Sequence, residues 1–358
     1  NESISEDTVD QIIKNATAEL TVSMIDDDLL NSVINVLCAC TQDFWSKIKS
    51  VLRSGVDAEQ VLTLPNAAQI NNINNANLIY HHQLGIEQML LSLEMQKKNK
   101  SVYDRIKKSI DDGRNITLSI LQQLTVQMMA NINIILLSMH REPSINTDTI
   151  NVTASSLYMR ELQEFLNRAW TTHMGPFNDK TAVNQCAKDL SVKIIDKFVQ
   201  NLSILRPISL KGRQRFKSDC SQLESIIQSV VGDLSVLGNS YRTLRSISTL
   251  VIETPEQLAA TENTLIPPFI ILFMLFGHAA DDLMSPHKAA GWSDEKLIHW
   301  LGEHKERERL ELIAGALQKY RTIIRKKNLT QYDPVYPLIS GMLEKCMQPF
   351  NVTARGLI

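Results

Sequence analysis

His278, Asp281 and Asp282 stand in the string GHAADDLM at spacings of three and four residues. On a helix such spacings share one face, so the three side chains could converge on a cation. Clustered carboxylates hold magnesium, and in the pattern DDxxD they carry the ions that bind a diphosphate. Here Asp281–Asp282 is followed by Leu283, Met284 and Ser285, so the last carboxylate is missing. The string DDDLL, from Asp26 to Leu30, fails in the same way. We read Asp281 and Asp282 as a solvated helix end. No catalytic residue, no metal ligand and no cofactor is expected.

The remaining reactive residues form no better arrangement. His299 and His304 are five apart and so face different sides of a helix, while adjacent His81 and His82 diverge. No G-x-S-x-G, P-loop or G-x-G-x-x-G string occurs. The five cysteines, Cys38, Cys40, Cys186, Cys220 and Cys346, include no C-x-x-C pair and leave an odd number, which fits a reduced, cytosolic compartment. Cys38 and Cys40, two apart on a helix, read as a core thiol and its flank. Three basic strings could meet phospholipid headgroups: Arg206–Lys217, Lys305–Arg309 and Tyr320–Lys327. Glu303, Glu306, Glu308 and Glu311 are interleaved with them, and solvated helix faces are the plainer reading.

Helices must position these residues. The chain of 358 residues has Gly 13 and Pro 11, about half the usual share, and sheets need turn residues far more often. Hydrophobic residues make up 44% and charged ones 21%, with a net charge of -2. That is a soluble balance, large enough for two domains and without an electrostatic reason to bind nucleic acid. Apolar positions recur at the helical period almost throughout, and no segment alternates as a strand does. The pattern predicts helices at 6–20, 27–54, 66–98 and 101–142, the third of them polar at its start. The string REPSINTDTINV then breaks the period, so a linker is expected at 143–152 between an N-terminal bundle, 1–142, and C-terminal bundles, 153–358. Further helices are predicted at 154–173, 179–205, 208–231, 233–252, 256–262, 268–281, 293–302, 304–326 and 335–348. The fold class is all-α, and the expected form is an elongated rod of consecutive bundles.

The most apolar run is LIPPFIILFMLFG, from Leu265 to Gly277. At about 20 Å as a helix, it is short of the roughly 30 Å hydrocarbon core. No other run comes closer to spanning on this reading, and the polar opening NESISEDTVD shows no signal peptide. The run is expected to be a core helix, with Ile271, Leu272, Leu275 and Phe276 buried. A second helix is apolar over too wide an arc. Leu157, Tyr158, Met159, Leu162, Phe165, Leu166, Ala169 and Trp170 exceed the stripe of about 100° that one core contact requires. A second layer must cover them, either another chain or a junction between bundles. Leu157, Tyr158, Leu162, Phe165 and Leu166 are the candidate partner-binding residues.

Several strings together carry a family resemblance: SLYMRELQEFLNR (156–168), LGNSYRTLRS (237–246), LIPPFIILFMLFGHA (265–279), GWSDEKLIHWL (291–301), LELIAGALQKY (310–320) and YDPVYPLISGML (332–343). Collinear over about 190 residues, they resemble the C-terminal half of the subunit-5 family of the conserved oligomeric Golgi complex. None is a chemical motif; their order and spacing carry the specificity. The resemblance weakens before residue 154, and the family's N-terminal helical half has no counterpart here. It implies a helical-rod tethering protein without a catalytic centre, acting at the cytosolic face of the Golgi in vesicle capture and intra-Golgi transport. It also implies subunit 7 as direct partner, the half-complex of subunits 5 to 8 around it, contact with the fusion machinery and an indirect, peripheral tie to the membrane. The other readings of the chain are an all-α adaptor of another multisubunit complex and an all-α metal-dependent enzyme.

Overall fold

The computed structural model describes residues 5–52, 57–93, 100–142, 155–262, 264–328 and 331–350. Among them every regular element is helical and no strand occurs, as the apolar period predicts. The chain divides into two compact units, residues 1–130 with 167–187 and residues 131–166 with 188–358. The expected linker at 143–152 lies outside the described residues.

The first unit is built on α1 (Glu6–Ser23), α2 (Asp27–Val51), α3 (Ala67–Ser92) and α4 (Lys100–Leu137) as far as Ala130. Side-chain caps set the starts. The Asp26 carboxylate accepts from the backbone N–H groups of Asp28 and Leu29 at 2.8 and 3.0 Å, and Asp27 and Asp28 fill the first turn of α2. Anionic residues suit the positive end of a helix, which gives the DDDLL string a structural role. Asn66 and Gln69 form a reciprocal capping box at the start of α3.

One core gathers Leu20, Leu30, Ile34, Ile86, Met89 and Ile106. A second holds Val9, Phe44, Trp45, Ile48 and Ile79. The Trp45 indole lies so close to Gly113 that a Cβ there would sit 2.6 Å from it, and its N–H donates to the Ser109 carbonyl at 3.1 Å. Polar residues of α3 are taken inside: Gln69, Asn72, Asn75, His82 and Gln83 are all buried. Gln83 shows how a buried amide is accommodated, donating to the Ile110 carbonyl at 3.1 Å.

The membrane-length expectation needs one correction. Among the described residues, Lys100–Arg141 is long and apolar enough to cross a bilayer by length and composition, which the 265–277 run is not. Residues 115–139 carry no charge but are interrupted by Gln122, Gln123, Gln127, Asn131 and Asn133. A search for unbroken apolar runs therefore passes over them, whereas hydropathy averaged along the helix does not. Its most apolar stretch is 56% buried within the protein.

The second unit holds α5 (Leu157–Ala169) as far as Leu166, α6 (Lys180–Ser203) from Lys188, α7 (Leu210–Val231), α8 (Asn239–Leu250), α9 (Pro255–Ala259), α10 (Pro268–Phe276), α11 (Pro286–Ala289), α12 (Asp294–Glu303), α13 (Glu306–Lys326) and α14 (Tyr336–Met347). The helix α10 is its centre and packs against α9, α13 and α14. Pro268 occupies the first turn, where a missing N–H breaks no bond. Ile271, Leu272, Leu275 and Phe276 are 2%, 0%, 0% and 1% exposed. The core-helix expectation holds.

Candidate interaction surface

The arc of apolar residues on α5 divides sharply. Leu157 is 56% exposed, whereas Tyr158, Met159, Leu162, Phe165 and Leu166 are buried. Of the candidate partner-binding residues, therefore, only Leu157 is open to solvent in this chain. A polar network, invisible in the periodicity, fixes the start of the helix. The Tyr158 hydroxyl donates to Asp219 Oδ2 at 2.7 Å. Ser156 Oγ donates to the same carboxylate, 2.7 Å from Oδ2, and accepts from Arg215 Nε at 2.9 Å. Arg215 also lies 3.9 Å from Glu142 Oε1. Asp219 and Ser156 are each 1% exposed and Arg215 is 7% exposed. Burial is the main influence on the Asp219 carboxyl and raises its pKa, while the Tyr158 and Ser156 hydrogen bonds and the Arg215 charge pull the other way.

His278, Asp281 and Asp282 do not share a helix face. The helix α10 ends at Phe276 rather than near 281 because the chain tightens: the His278 and Ala279 N–H groups bond back three residues, to Leu275 and Phe276 at 3.0 and 3.2 Å. The Arg206 guanidinium then donates to the carbonyls of Ala279, Ala280 and Leu283. His278 rests against Arg213, and burial, with that positive charge, lowers its pKa to about 4. Asp282 faces Lys327 at 3.1 Å on the surface. Asp281 lines a polar cleft of about 350 Å³ with His140, Arg206, His287 and Asp294. There His287 Nε2 donates to Asp294 at 2.8 Å, a bond that, with the neighbouring Lys288, holds the Asp294 carboxyl well below the usual range. Among the described residues, no three His, Cys, Asp or Glu side chains converge as metal ligands. Magnesium or zinc is therefore expected to leave the melting curve unchanged. Stoichiometric binding that disappears in the Asp281→Ala, Asp282→Ala double variant is the contrary result.

The basic strings are largely occupied by the fold. In the first, Arg206 caps carbonyls, Arg213 meets His278 and Arg215 serves the Asp219 network. In the second, Arg307 pairs with Glu311 at 2.8 Å, and Arg309 covers the Phe269 ring at 4.5 Å. The third ends in exposed bases, Arg325, Lys326 and Lys327 at the end of α13, of which Lys327 pairs with Asp282. None of the five cysteines is in a disulfide; Cys40 is exposed and Cys38 half-buried against the first core.

No protein-family model matches the sequence, and no solved structure matches it. Curated relatives do. Conserved oligomeric Golgi complex subunit 5 of Drosophila melanogaster is 40% identical over 348 residues, covering 96% of this chain and 46% of its own length. The Mus musculus protein of the same name is 28% identical over 349 residues, 96% of this chain and 42% of its own. The Arabidopsis thaliana protein is 26% identical over 196 residues, 52% of this chain and 24% of its own. The chain thus spans about half the length of the fly and mouse relatives it matches. Across nearly all of its residues, this chain is a homologue of conserved oligomeric Golgi complex subunit 5.

Proposed function

We propose that the chain is part of a non-catalytic subunit of the Golgi vesicle-tethering complex, a scaffold that binds subunit 7 and supports retrograde vesicle capture and intra-Golgi transport. The observation that carries this reading is the match to the fly subunit 5, at 40% identity across 96% of the chain. An all-helical architecture suits it, since helices stacked along a chain offer long lateral faces. The other subunits of the half-complex and the fusion machinery are its further partners. The work takes place at the cytosolic face of the Golgi, on an elongated rod that reaches the membrane through other proteins. Leu157 is the residue through which the start of α5 meets subunit 7, being exposed beside buried neighbours.

Co-purification of the chain with subunit 7 from cells tests the reading, with Leu157→Glu as the surface probe. Leu157 is exposed, so the variant should melt within about 0.5 kcal/mol of wild type. It should also lose capture of subunit 7 by about tenfold, the equivalent of one apolar anchor. Undiminished capture removes Leu157 from the interface. Absence of subunit 7 from the wild-type purification removes the reading itself.

A further inference from the structure

Between α1 and α2, within the first unit, runs an open apolar groove of about 750 Å³, lined by Ile12, Ala16, Val33, Val36, Leu37 and Phe44. Val36 is 63% exposed. Val22 near the end of α1, Ile25 in the connection and Leu29 in the first turn of α2 are 61%, 87% and 46% exposed. Scattered surface valines and leucines are ordinary, but a contiguous strip along two helices marks a place where something docks.

The charge around the strip is predominantly negative. Residues 6–51 carry eight carboxylates and three lysines, although the whole chain is nearly neutral at -2. Only one of those lysines, Lys47, lines the groove, and Asp43 holds it at 3.1 Å. Glu19 therefore leaves the lining negative, and the acidic first turns of α1 and α2, with Glu6, Asp7, Asp27 and Asp28, add to the same sign. The lining also holds one orphan. His82 is 1% exposed, stacks near Phe44 at 5.2 Å, and has no hydrogen-bond partner for Nδ1. Burial lowers its pKa to about 4, so at neutral pH the ring is uncharged.

We propose that this groove is the docking site of an amphipathic helix from another protein, with an apolar stripe and basic flanks. A helix laid into the groove completes a three-helix layer, its stripe covering Val36 and Ile12 and its lysines or arginines reaching Glu19 and the acidic ends. A helix of about 18 residues, roughly 27 Å, matches the length of α1. Acidic flanks meet like charge and are rejected, so charge selects the partner while the apolar strip supplies the contact.

Two synthetic helices with the same leucine stripe, one flanked by lysine and one by glutamate, test the proposal on the full 358-residue chain. Affinity is read by fluorescence anisotropy. Occupancy is read by alkylation of Cys40, the exposed thiol of the groove lining, followed by mass spectrometry. The lysine helix should bind, slow Cys40 alkylation several-fold and weaken as salt rises. Val36→Asn should cost about tenfold in its affinity while leaving the melting curve unchanged. Glu19→Lys should narrow the preference for lysine flanks over glutamate flanks. Equal binding of both helices overturns the charge assignment. Binding of the lysine helix that leaves Cys40 alkylation and the Val36→Asn affinity unchanged overturns the site. Self-association of the chain that disappears in Val36→Asn overturns the partner, because a second copy is then the occupant.

Discussion

Leu272→Asp is expected to unfold the second unit. Leu272 is fully buried at the middle of α10, in a helix where every residue from Phe269 to Phe276 is buried. Helices α9, α13 and α14 surround it, and no basic side chain on α10 can answer a new carboxylate, because the helix reads PFIILFMLF. The aspartate must either ionise without a partner or take up a proton, and the leucine's apolar contacts are lost in both cases. A cost above about 4–5 kcal/mol follows, the range reserved for buried unpaired charge and core cavities together. Whole domains have only about 5–15 kcal/mol of stability, so the variant should be insoluble or lack a cooperative transition for this unit. Leu265→Asp is the control: Leu265 is 38% exposed just ahead of the helix, and its variant should melt close to wild type. A soluble Leu272→Asp protein with an unchanged melting curve contradicts the packing of α10.

The fate of α10 shows which features a sequence makes legible. A run of nine residues without a polar atom in its side chains can only be buried, and two prolines followed by a glycine mark where it starts and stops. The helical period is equally plain in α2 and α13, whose apolar positions recur on one face. Asn and Gln defeat this kind of reading. The polar letters of α3 do not mark a solvated face, since Asn72, Asn75 and Gln83 are buried. Gln83 finds its acceptor 27 residues away, at Ile110. Basic strings mislead in the opposite direction. Arg206, Arg213 and Arg215 look like a surface cluster, but each is engaged by residues distant in the chain. Side-chain partners separated by tens of residues leave no local signature, and the same holds for the α1–α2 groove. Its lining residues have the spacing of an ordinary core stripe, and only the packing shows that some of them, Val36 above all, stay open to solvent.

The Asp219 network is the clearest case of a feature fixed by such distant partners, and Asp219→Ala should cost about 3–5 kcal/mol, the range for breaking a buried charged network from one side. The substitution strands two buried hydroxyls, Ser156 and Tyr158, whose hydrogens point to that carboxylate at 2.7 Å. It also leaves the Arg215 guanidinium with Glu142 at 3.9 Å as its remaining countercharge. Tyr158→Phe removes a single hydrogen bond to a charged acceptor and should cost less, about 1–3 kcal/mol. The pH dependence separates charge from geometry. Burial raises the Asp219 pKa in the folded chain, so the native state holds its proton more tightly than the unfolded state does. The stabilisation from that proton is complete below the unfolded aspartate pKa and is lost as pH rises through the folded value. Asparagine keeps the shape of the protonated acid and does not titrate. Asp219→Asn should therefore lie closer to wild type than Asp219→Ala, and the downward slope of stability with rising pH should flatten in that window. Chemical denaturation of wild type and the three variants from acid to neutral pH measures all of this. An unchanged slope in Asp219→Asn, or an Asp219→Ala cost no larger than that of Tyr158→Phe, would show that the carboxylate does not hold the start of α5 to α7.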